Sequence, residues 1–399
     1  MAIDEDAHAR NRRALMGAFT EHAVVEHAAV LEDHVSLLVQ RFRDRVDAGR
    51  GKAVVNMVDW VNYLTFDISG ALSFGSSFDS VKNGKAHPWV EISCSFGKGL
   101  ALMASVNFFA PLDRAFAYAI PETVRRKMTY HRELVHERFM QRLGMVGKQA
   151  SQDYVGSVLK YNEEKGEVRV PIQELEANMA VLIFAGSETT ATALVSTINA
   201  LLRQPEELGK LVDEIRGAFG SVDEITVASV GKLEYLTAVL KEGIRLGPPA
   251  AVGLPRVVPN PGETICGRWV PGDTFVSLNQ YPAYRSPSNF THPSSFIPSR
   301  FLPSTPFPND NTAVFEPFLV GRHKCLGQKL AWAEMRLLLA QMLWEFDIGG
   351  VEGEVYGDFG ERRTYLFWEK GSLNVEVRPR NGSDACSSLS PDAIPPINA

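Results

Sequence analysis

The stretch FLVGRHKCLG, Phe318 to Gly327, places a single cysteine, Cys325, beside three basic residues and directly before a helical pattern of apolar residues. The first turn of a helix stabilises a thiolate through its dipole and its free backbone N–H groups. Gly321 and Gly327 remove side chains on either side, which allows a flat, bulky group to approach the backbone. The stretch therefore predicts an exposed, anionic sulfur suited to bind the iron of a macrocycle, with a buried structural cysteine as the alternative.

The side chains around the sulfur agree with this chemistry. Phe318 would shield the sulfur, while Arg322, His323 and Lys324 add positive charge around it. Such charge suits a macrocycle with acidic substituents, and a thiolate ligand supplies the electron donation that favours O–O cleavage.

This stretch resembles the haem-binding loop of the cytochrome P-450 monooxygenases, whose pattern is Phe, two residues, Gly, any residue, Arg, any residue, Cys, any residue, Gly. Phe318, Gly321, Cys325 and Gly327 match it, and His323 stands where the family usually has Arg. Either side chain can donate a hydrogen bond to a haem propionate. The resemblance implies that the cofactor is haem b and that Cys325 is the axial ligand of its iron.

A second motif, FAGSETTAT (Phe184 to Thr192), lies in the middle of a long helix predicted from Pro171 to Leu202. A helix chosen only for stability would avoid its glycine, which costs about 1 kcal/mol against alanine, and its three threonines. The motif resembles the family's oxygen-binding groove. By that resemblance Gly186 opens space beside the iron, Thr189 holds the bound oxygen and its water, and Glu188 connects them to solvent. The alternative is an ordinary helix with a solvated Glu188.

Two further motifs are structural by resemblance. KEGIR places Glu242 and Arg245 three residues apart on one helix, within reach of an ion pair. FIPSRF resembles the family's second arginine motif and contributes Arg300. The resemblance implies that these three side chains form a buried charged cluster that fixes the coil before the cysteine loop, whereas most such pairs lie on the surface.

Candidate partners for the haem propionates come from two places. HARNRRALMGAF resembles a helix near the haem in which the family often places Trp, three residues, Arg; here His8 takes the Trp position and Arg12 the Arg position. Arg256, in GLPRVV, is a second candidate because it follows the paired prolines. Each could instead be a solvated surface arginine.

The remaining pattern predicts a mainly α protein with a small β-sheet region (α+β). Amphipathic helices are predicted from about Ala7 to Arg50, short strands after Pro248, and a hairpin in RTYLFWEKGSLNVEVRP near the end. We predict one haem domain, residues 1–380, and a disordered tail, residues 381–399, rich in Ser, Pro and Asn.

Composition excludes several classes of protein. Over 399 residues, 41 basic and 47 acidic side chains give a net charge of −6, so no basic excess indicates nucleic-acid binding. Four scattered cysteines without CxxC spacing argue against a disulfide framework and against a four-cysteine zinc site. We read no signal peptide and no apolar window of the roughly 20 residues that a spanning helix needs.

The resemblance covers almost the whole chain and implies segments in front of it. Family members carry a membrane anchor, first helices and two strands before the helix that contains Arg12. We therefore expect the cytochrome P-450 fold without its N-terminal anchor, first helices and first strands. The implied location is the endoplasmic reticulum membrane, but the chain as written is expected to be cytoplasmic or peripheral.

The implied function is insertion of one oxygen atom from O2 into a hydrophobic small molecule. Electrons would come from NADPH through NADPH-cytochrome P-450 reductase, docked on a basic face around Arg322, Lys324 and Lys329. VSLNQYPAYRSPSNF and LAWAEMRLLLA look like fungal secondary-metabolism members, including those resembling isotrichodermin 15-hydroxylase. This favours a terpenoid or polyketide substrate.

Pocket walls are expected from three mostly apolar or small segments: Leu182 to Ser187, Ala250 to Leu254, and Lys370 to Leu373. Two alternatives remain open. The chain could be a truncated, inactive remnant with little haem binding, or a haem-thiolate isomerase that needs no O2; retention of Glu188 and Thr189 speaks against the isomerase.

Overall fold

The computed structural model describes residues 4–90, 121–145, 153–165 and 169–380, together with 99, 101, 105, 106 and 109. Helices dominate this part of the chain and the strands are short and antiparallel, so the predicted fold class is confirmed. The predicted tail, 381–399, lies outside the described residues.

The described α-helices follow the predicted order. They are α1 (Glu5–Met16), α2 (Glu21–Glu26), α3 (Ala28–Ala48), α4 (Met57–Phe74), α5 (Ser80–Asn83), α6 (Glu122–Leu143), α7 (Tyr154–Glu164), α8 (Ile172–Leu202), α9 (Pro205–Ala218), α10 (Val227–Val230), α11 (Glu234–Leu246), α12 (Gln280–Tyr284) and α13 (Gln328–Glu345). Side chains of Asp4, Thr20 and Asp153 accept backbone N–H groups at the starts of α1, α2 and α7, which fixes where these helices begin.

The helix α8 crosses the centre of the fold. Its 31 residues confirm the long predicted helix, and its second half is almost entirely buried against α4, α11 and α13. By length and composition α8 could cross a membrane, so our expectation that no apolar window is long enough was wrong. However, 67% of its most apolar stretch is buried inside the fold, as in the core helix of a globular protein.

The strands form three small sheets. β1 (Ala53–Asn56), β7 (Asn374–Pro379) and β6 (Phe346–Gly350) make one antiparallel sheet in that order. Two separate ladders pair β2 (Arg256–Val257) with β5 (Phe275–Val276), and β3 (Gly262–Ile265) with β4 (Arg268–Pro271).

The strands after Pro248 confirm the predicted β region, but the predicted terminal hairpin was wrong. Within that segment only a single bridge joins Thr364 and Trp368, and β7 pairs with β1 and β6 instead. The reason is that β1, more than 300 residues earlier in the chain, offers β7 a four-residue partner in register, from Ala53 opposite Val377 to Asn56 opposite Asn374.

A buried ion cluster ties α11 to the coil that leads to the cysteine loop. The Glu242 carboxylate accepts hydrogen bonds from Arg245 Nε at 2.7 Å and from Arg300 Nε at 3.0 Å. All three side chains are 0% exposed. The Arg245 guanidinium also donates to the carbonyl of Tyr284, at the end of α12, and to those of Pro293 and Ser295 in the coil. The cluster therefore satisfies backbone oxygens that no sheet or helix would satisfy.

Replacement of Glu242 by Gln should destabilise the protein by about 3 to 5 kcal/mol, because Arg245 and Arg300 would remain buried without their carboxylate. Equilibrium urea unfolding measures this loss. Glu122→Gln is the matched control: its pair with Arg126 is 69% and 80% exposed, so it should cost at most about 1 kcal/mol. Equal costs for the two variants would contradict the role of the cluster.

Candidate active site

A cavity of about 390 Å³ lies between the cysteine loop and the middle of α8. It brings together residues that are far apart in the sequence. The predicted site residues that line it are Arg12, Gly186, Thr189, Phe318, His323, Cys325 and Gly327. Three other predicted residues, Glu188, Gly321 and Arg256, are described but do not line it.

The cysteine loop is held in shape by its own backbone. The backbone N–H of Cys325 donates to the carbonyl of Phe318 at 2.8 Å, and Gly321 has a φ of 73°, a conformation that favours glycine. No heavy atom lies within 4 Å of the position that a Cβ would take at Gly321. The glycine at this position is thus explained by the turn, and Gly327 is the one of the two that borders the cavity.

The electrostatics of the sulfur differ from the prediction. α13 begins at Gln328, after the cysteine, and the backbone N–H groups of Gly327 and Gln328 and the charge of Arg12 all lower the pKa of the Cys325 thiol. Burial is the largest influence and raises that pKa above its ordinary value. The free thiol is therefore not made anionic by its surroundings alone, although a metal ion deprotonates a coordinating thiol. The N–H groups of Gly327 and Gln328 are placed to donate hydrogen bonds to the resulting thiolate.

Positive charge collects at one edge of the cavity. Arg12 and His323 border it, and the ring of His8 lies 4.8 Å from the ring of His323. The pKa of His323 is lowered, chiefly by burial and then by the charges of Arg256, His8 and Arg322. Arg256 is thus close enough to act on His323 although it does not border the cavity. This edge suits carboxylate groups such as haem propionates.

The middle of α8 forms the opposite wall. A Cβ added at Gly186 would lie 3.0 Å from Ser69 Oγ of α4, so this position is tighter than most side chains tolerate. Thr189 borders the cavity, and its hydroxyl donates to the carbonyl of Ala185 at 2.7 Å. The hydroxyl oxygen therefore remains available to accept a hydrogen bond from the cavity.

Glu188 does not reach solvent as the sequence suggested. Its carboxylate is buried and forms an ion pair with Lys370, whose Nζ also lies 3.5 Å from Thr192 Oγ1. Lys370 to Leu373 therefore do not line the cavity, contrary to our expectation, because this segment covers another face of α8. The other expected walls are present, through Leu182, Ala185 and Gly186 and through Ala250, Val252 and Leu254.

The predicted basic face is partly neutralised. Arg322 pairs with Glu5 at 2.6 Å and Lys329 with Glu21 at 2.9 Å, which are acidic residues of the first two helices. Lys324 borders the cavity. Both pairs are exposed and therefore contribute little, so they can separate when a partner approaches.

Some lining residues carried no sequence signal. Ser69 and Tyr154 border the cavity and belong to no motif that sequence reasoning singled out, and Phe19 and Gln280 lie in quoted stretches but were given no role. Their positions depend on how α4, α7 and α12 pack, which local spacing does not reveal. Lys370 was predicted only as a pocket wall, and no charge pattern connected it with Glu188.

The comparisons with known proteins agree with this site. The sequence model of the family described as Cytochrome P-450 matches residues 2–356. A cytochrome P-450 monooxygenase of Aspergillus oryzae is 37% identical over 381 residues, which cover 95% of this chain and 74% of that protein.

Two further relatives have more specific names. The trichothecene C-15 hydroxylase of Fusarium sporotrichioides is 35% identical, and the match covers 94% of this chain and 76% of that protein. The versicolorin B desaturase of Emericella nidulans is 36% identical, covering 95% and 76%. A crystal structure of a cytochrome P-450 haem domain has the same fold, with a TM-score of 0.77, 22% identity and coverage of 92% of this chain and 76% of that one.

The chain therefore belongs to the cytochrome P-450 family, as the cysteine loop predicted. It is a cytochrome P-450 monooxygenase of the fungal secondary-metabolism type. Membership implies a haem cofactor, a redox partner, O2 and a small-molecule substrate. Members of the family are often associated with the endoplasmic reticulum.

A buried acid lies on α13, the helix that follows the cysteine loop, and burial shifts its pKa. Glu334 on α13 is fully buried, and burial raises its pKa to about 8. The folded protein thus keeps this proton up to about pH 8, whereas the unfolded chain releases it near pH 4.3. Stability from this group is complete below about pH 4.3 and is lost as pH rises through 8, by up to about 1.4 kcal/mol per pH unit.

Glu334→Gln cannot ionise, so this loss should disappear. Relative to the unchanged protein, the variant should gain stability between pH 5 and pH 8, with the largest gain near pH 8. Urea unfolding at pH 5, 6.5 and 8 measures the difference. The exposed Glu206→Gln serves as the control and should give a difference that does not change with pH. The same constant difference for Glu334→Gln would show that this proton is not held.

Proposed function

We propose that this chain uses haem b, bound through Cys325, to insert one oxygen atom from O2 into a C–H bond of a hydrophobic fungal metabolite. The observation that carries the proposal is the cavity itself. It has Cys325 on one wall and the Gly186 and Thr189 groove of α8 on the other. When bound in such a site, haem supplies the binding and reductive activation of O2.

The residues of the lower wall fit a haem ligand set. The Cys325 sulfur faces the cavity and receives backbone N–H groups from Gly327 and Gln328, which would stabilise its negative charge. Phe318 borders the cavity beside the sulfur and packs on Trp332, with ring centroids 5.7 Å apart. This aromatic pair would exclude water from the iron–sulfur bond.

The cationic edge would orient the macrocycle. Arg12 is the first candidate propionate partner because it borders the cavity and its charge reaches the sulfur. His323 borders the cavity as well, and Arg256 acts through its proximity to His323. A neutral His323 can still donate one hydrogen bond from its ring.

The upper wall would deliver protons. The Thr189 hydroxyl lies at the cavity and can hold a water molecule there, since its own proton is already donated to Ala185. Glu188 is the neighbouring carboxylate and would relay a proton, taken up from outside the cavity, to this water.

The substrate class follows from the remaining wall. Leu182, Val252, Leu254 and Leu278 are apolar and border the cavity. Such a wall favours a hydrophobic molecule, for which we propose a terpenoid or polyketide. The hydroxylase of Fusarium and the desaturase of Emericella both fit a site that begins by attacking a C–H bond.

Electrons would come from NADPH through NADPH-cytochrome P-450 reductase. We place its docking surface at Arg322, Lys324 and Lys329, on the side of the cysteine loop. Glu5 and Glu21 pair with two of these cations and would have to release them on docking. In the cell we place the enzyme at the endoplasmic reticulum membrane, in line with its family.

Cys325→Ala should abolish the strongly red-shifted Soret band that the reduced protein gives with carbon monoxide, because that band reports thiolate ligation of the iron. The absorbance spectrum of the purified, haem-reconstituted protein measures this. Cys266→Ala is the matched control, since Cys266 is also free and exposed but lies in a turn of the β region. A variant without Cys325 that kept the band would overturn the assignment of the ligand.

Thr189→Ala should keep this band and divert electrons from product to hydrogen peroxide, because the water at the upper wall loses its anchor. We expect coupling to fall by about tenfold or more, because positioned proton transfer contributes about 10² to 10⁴ in rate. NADPH consumption and peroxide release measure it. Thr197→Ala is the control: its hydroxyl makes the same bond to the carbonyl four residues earlier, at 2.8 Å, but lies in the core. Unchanged coupling in Thr189→Ala would exclude Thr189 from the relay.

A further inference from the structure

The buried ion pair between Lys370 and Glu188 joins the terminal segment to the middle of α8. The two side chains are only 6% and 8% exposed, and Lys370 Nζ also lies 3.5 Å from Thr192 Oγ1. Phe367 packs against Phe184 one helical turn earlier, with ring centroids 5.1 Å apart. The terminal segment therefore follows a single face of α8, along residues four apart.

The segment that carries Lys370 is fixed on both sides. Before it, Trp368 Nε1 donates to the carbonyl of Pro248 at 2.8 Å. After it, the backbone N–H of Leu373 donates to Asn56 Oδ1 at 3.0 Å. Gly371 supports the bend between them with a φ of 63°. Lys370 is thus held in place by the fold and does not depend on Glu188 for its position.

A buried carboxylate needs a partner, because an unpaired charge in the interior is costly and the group otherwise takes up a proton. Lys370 supplies that partner on the face of α8 that turns away from the cavity. The next residue, Thr189, borders the cavity. Lys370 therefore fixes the direction of the acid that stands beside the oxygen-binding wall.

We infer that Lys370 is a positioning residue for oxygen activation: its buried ion pair fixes the orientation of Glu188, the acid next to Thr189, on the face of α8 that turns away from the cavity. This inference rests on the proposed role of Glu188 and Thr189. It adds a residue from the opposite end of the chain to the reaction. Lys370 itself does not border the cavity.

The test compares Lys370→Met, Lys370→Arg, Glu188→Gln and the double variant Lys370→Met with Glu188→Gln. Each full-length, haem-loaded protein is mixed with purified NADPH-cytochrome P-450 reductase, and NADPH consumption and peroxide release are measured from pH 6 to pH 8.5. No added substrate is needed for these two quantities. Lys160→Met, which removes an exposed lysine paired with Glu164, is the control for charge.

Lys370→Met should move the pH profile of peroxide release per NADPH consumed to higher pH by about one to three units. The reason is that a buried carboxylate without its cation holds a proton more tightly. Lys370→Arg should restore the original profile, and Lys160→Met should leave it unchanged. In the Glu188→Gln background, Lys370→Met should cause no further shift. A purely structural lysine would instead change stability in both backgrounds and leave the profile in place, which would overturn the inference.

A second measurement does not depend on turnover. The melting temperature of Lys370→Met should fall with rising pH relative to that of the double variant, since only the former retains a buried carboxyl that must lose its proton. If Lys370→Met loses haem, the double variant is used instead. It must retain haem and show the same pH profile of NADPH consumption and peroxide release as Glu188→Gln. If the unchanged protein lacks the red-shifted band, the proposed function fails; if it has the band but Lys370→Met keeps the original profile, only the inference about Lys370 fails.

Discussion

One buried carboxylate determines whether the cysteine loop can exist in this form. Glu242 is shared by two guanidinium groups, one from its own helix and one from the coil, and its Oε1 also accepts the backbone N–H of Ile297 at 2.8 Å. The coil has almost no regular structure, so its carbonyl groups need other donors. Arg245 and Arg300 supply those donors. The negative charge of Glu242 offsets the cost of burying their two guanidinium groups. The position of the cysteine loop, which follows this coil, therefore depends on the cluster.

The cavity shows how burial and hydrogen bonding compete for one sulfur. Burial opposes ionisation of Cys325, whereas two N–H groups and Arg12 favour it, and burial is the larger influence. The surroundings of the free thiol therefore favour its protonated form. The balance is reversed by a cation at the sulfur, because a coordinating thiol gives up its proton. The two backbone N–H groups and Arg12 would then stabilise the thiolate that is bound to the cation.

Local sequence was enough to predict the parts of the site whose geometry is set within one element. The cysteine loop depends on a short turn with Gly321 and on the start of α13, and the long helix on apolar positions that share one broad face from Leu175 to Leu201. Two of the missed features depend on contacts across long distances in the chain. β7 pairs with β1 rather than with a near neighbour, and Lys370 meets Glu188 across 182 residues. No spacing rule connects such pairs, because tertiary packing decides them.

Helix geometry explains why the acid and the threonine of α8 have different surroundings. Successive residues of an α-helix point about 100° apart, so Glu188 and Thr189 cannot both face the cavity squarely. Thr189 takes the cavity, where its hydroxyl accepts from within, and Glu188 falls on the face that the terminal segment covers. A charged acid on that face requires a buried cation, and the fold supplies one from a segment fixed at Pro248 and Asn56. The adjacency of the two residues in sequence therefore demands a third residue, which the sequence places at the other end of the protein.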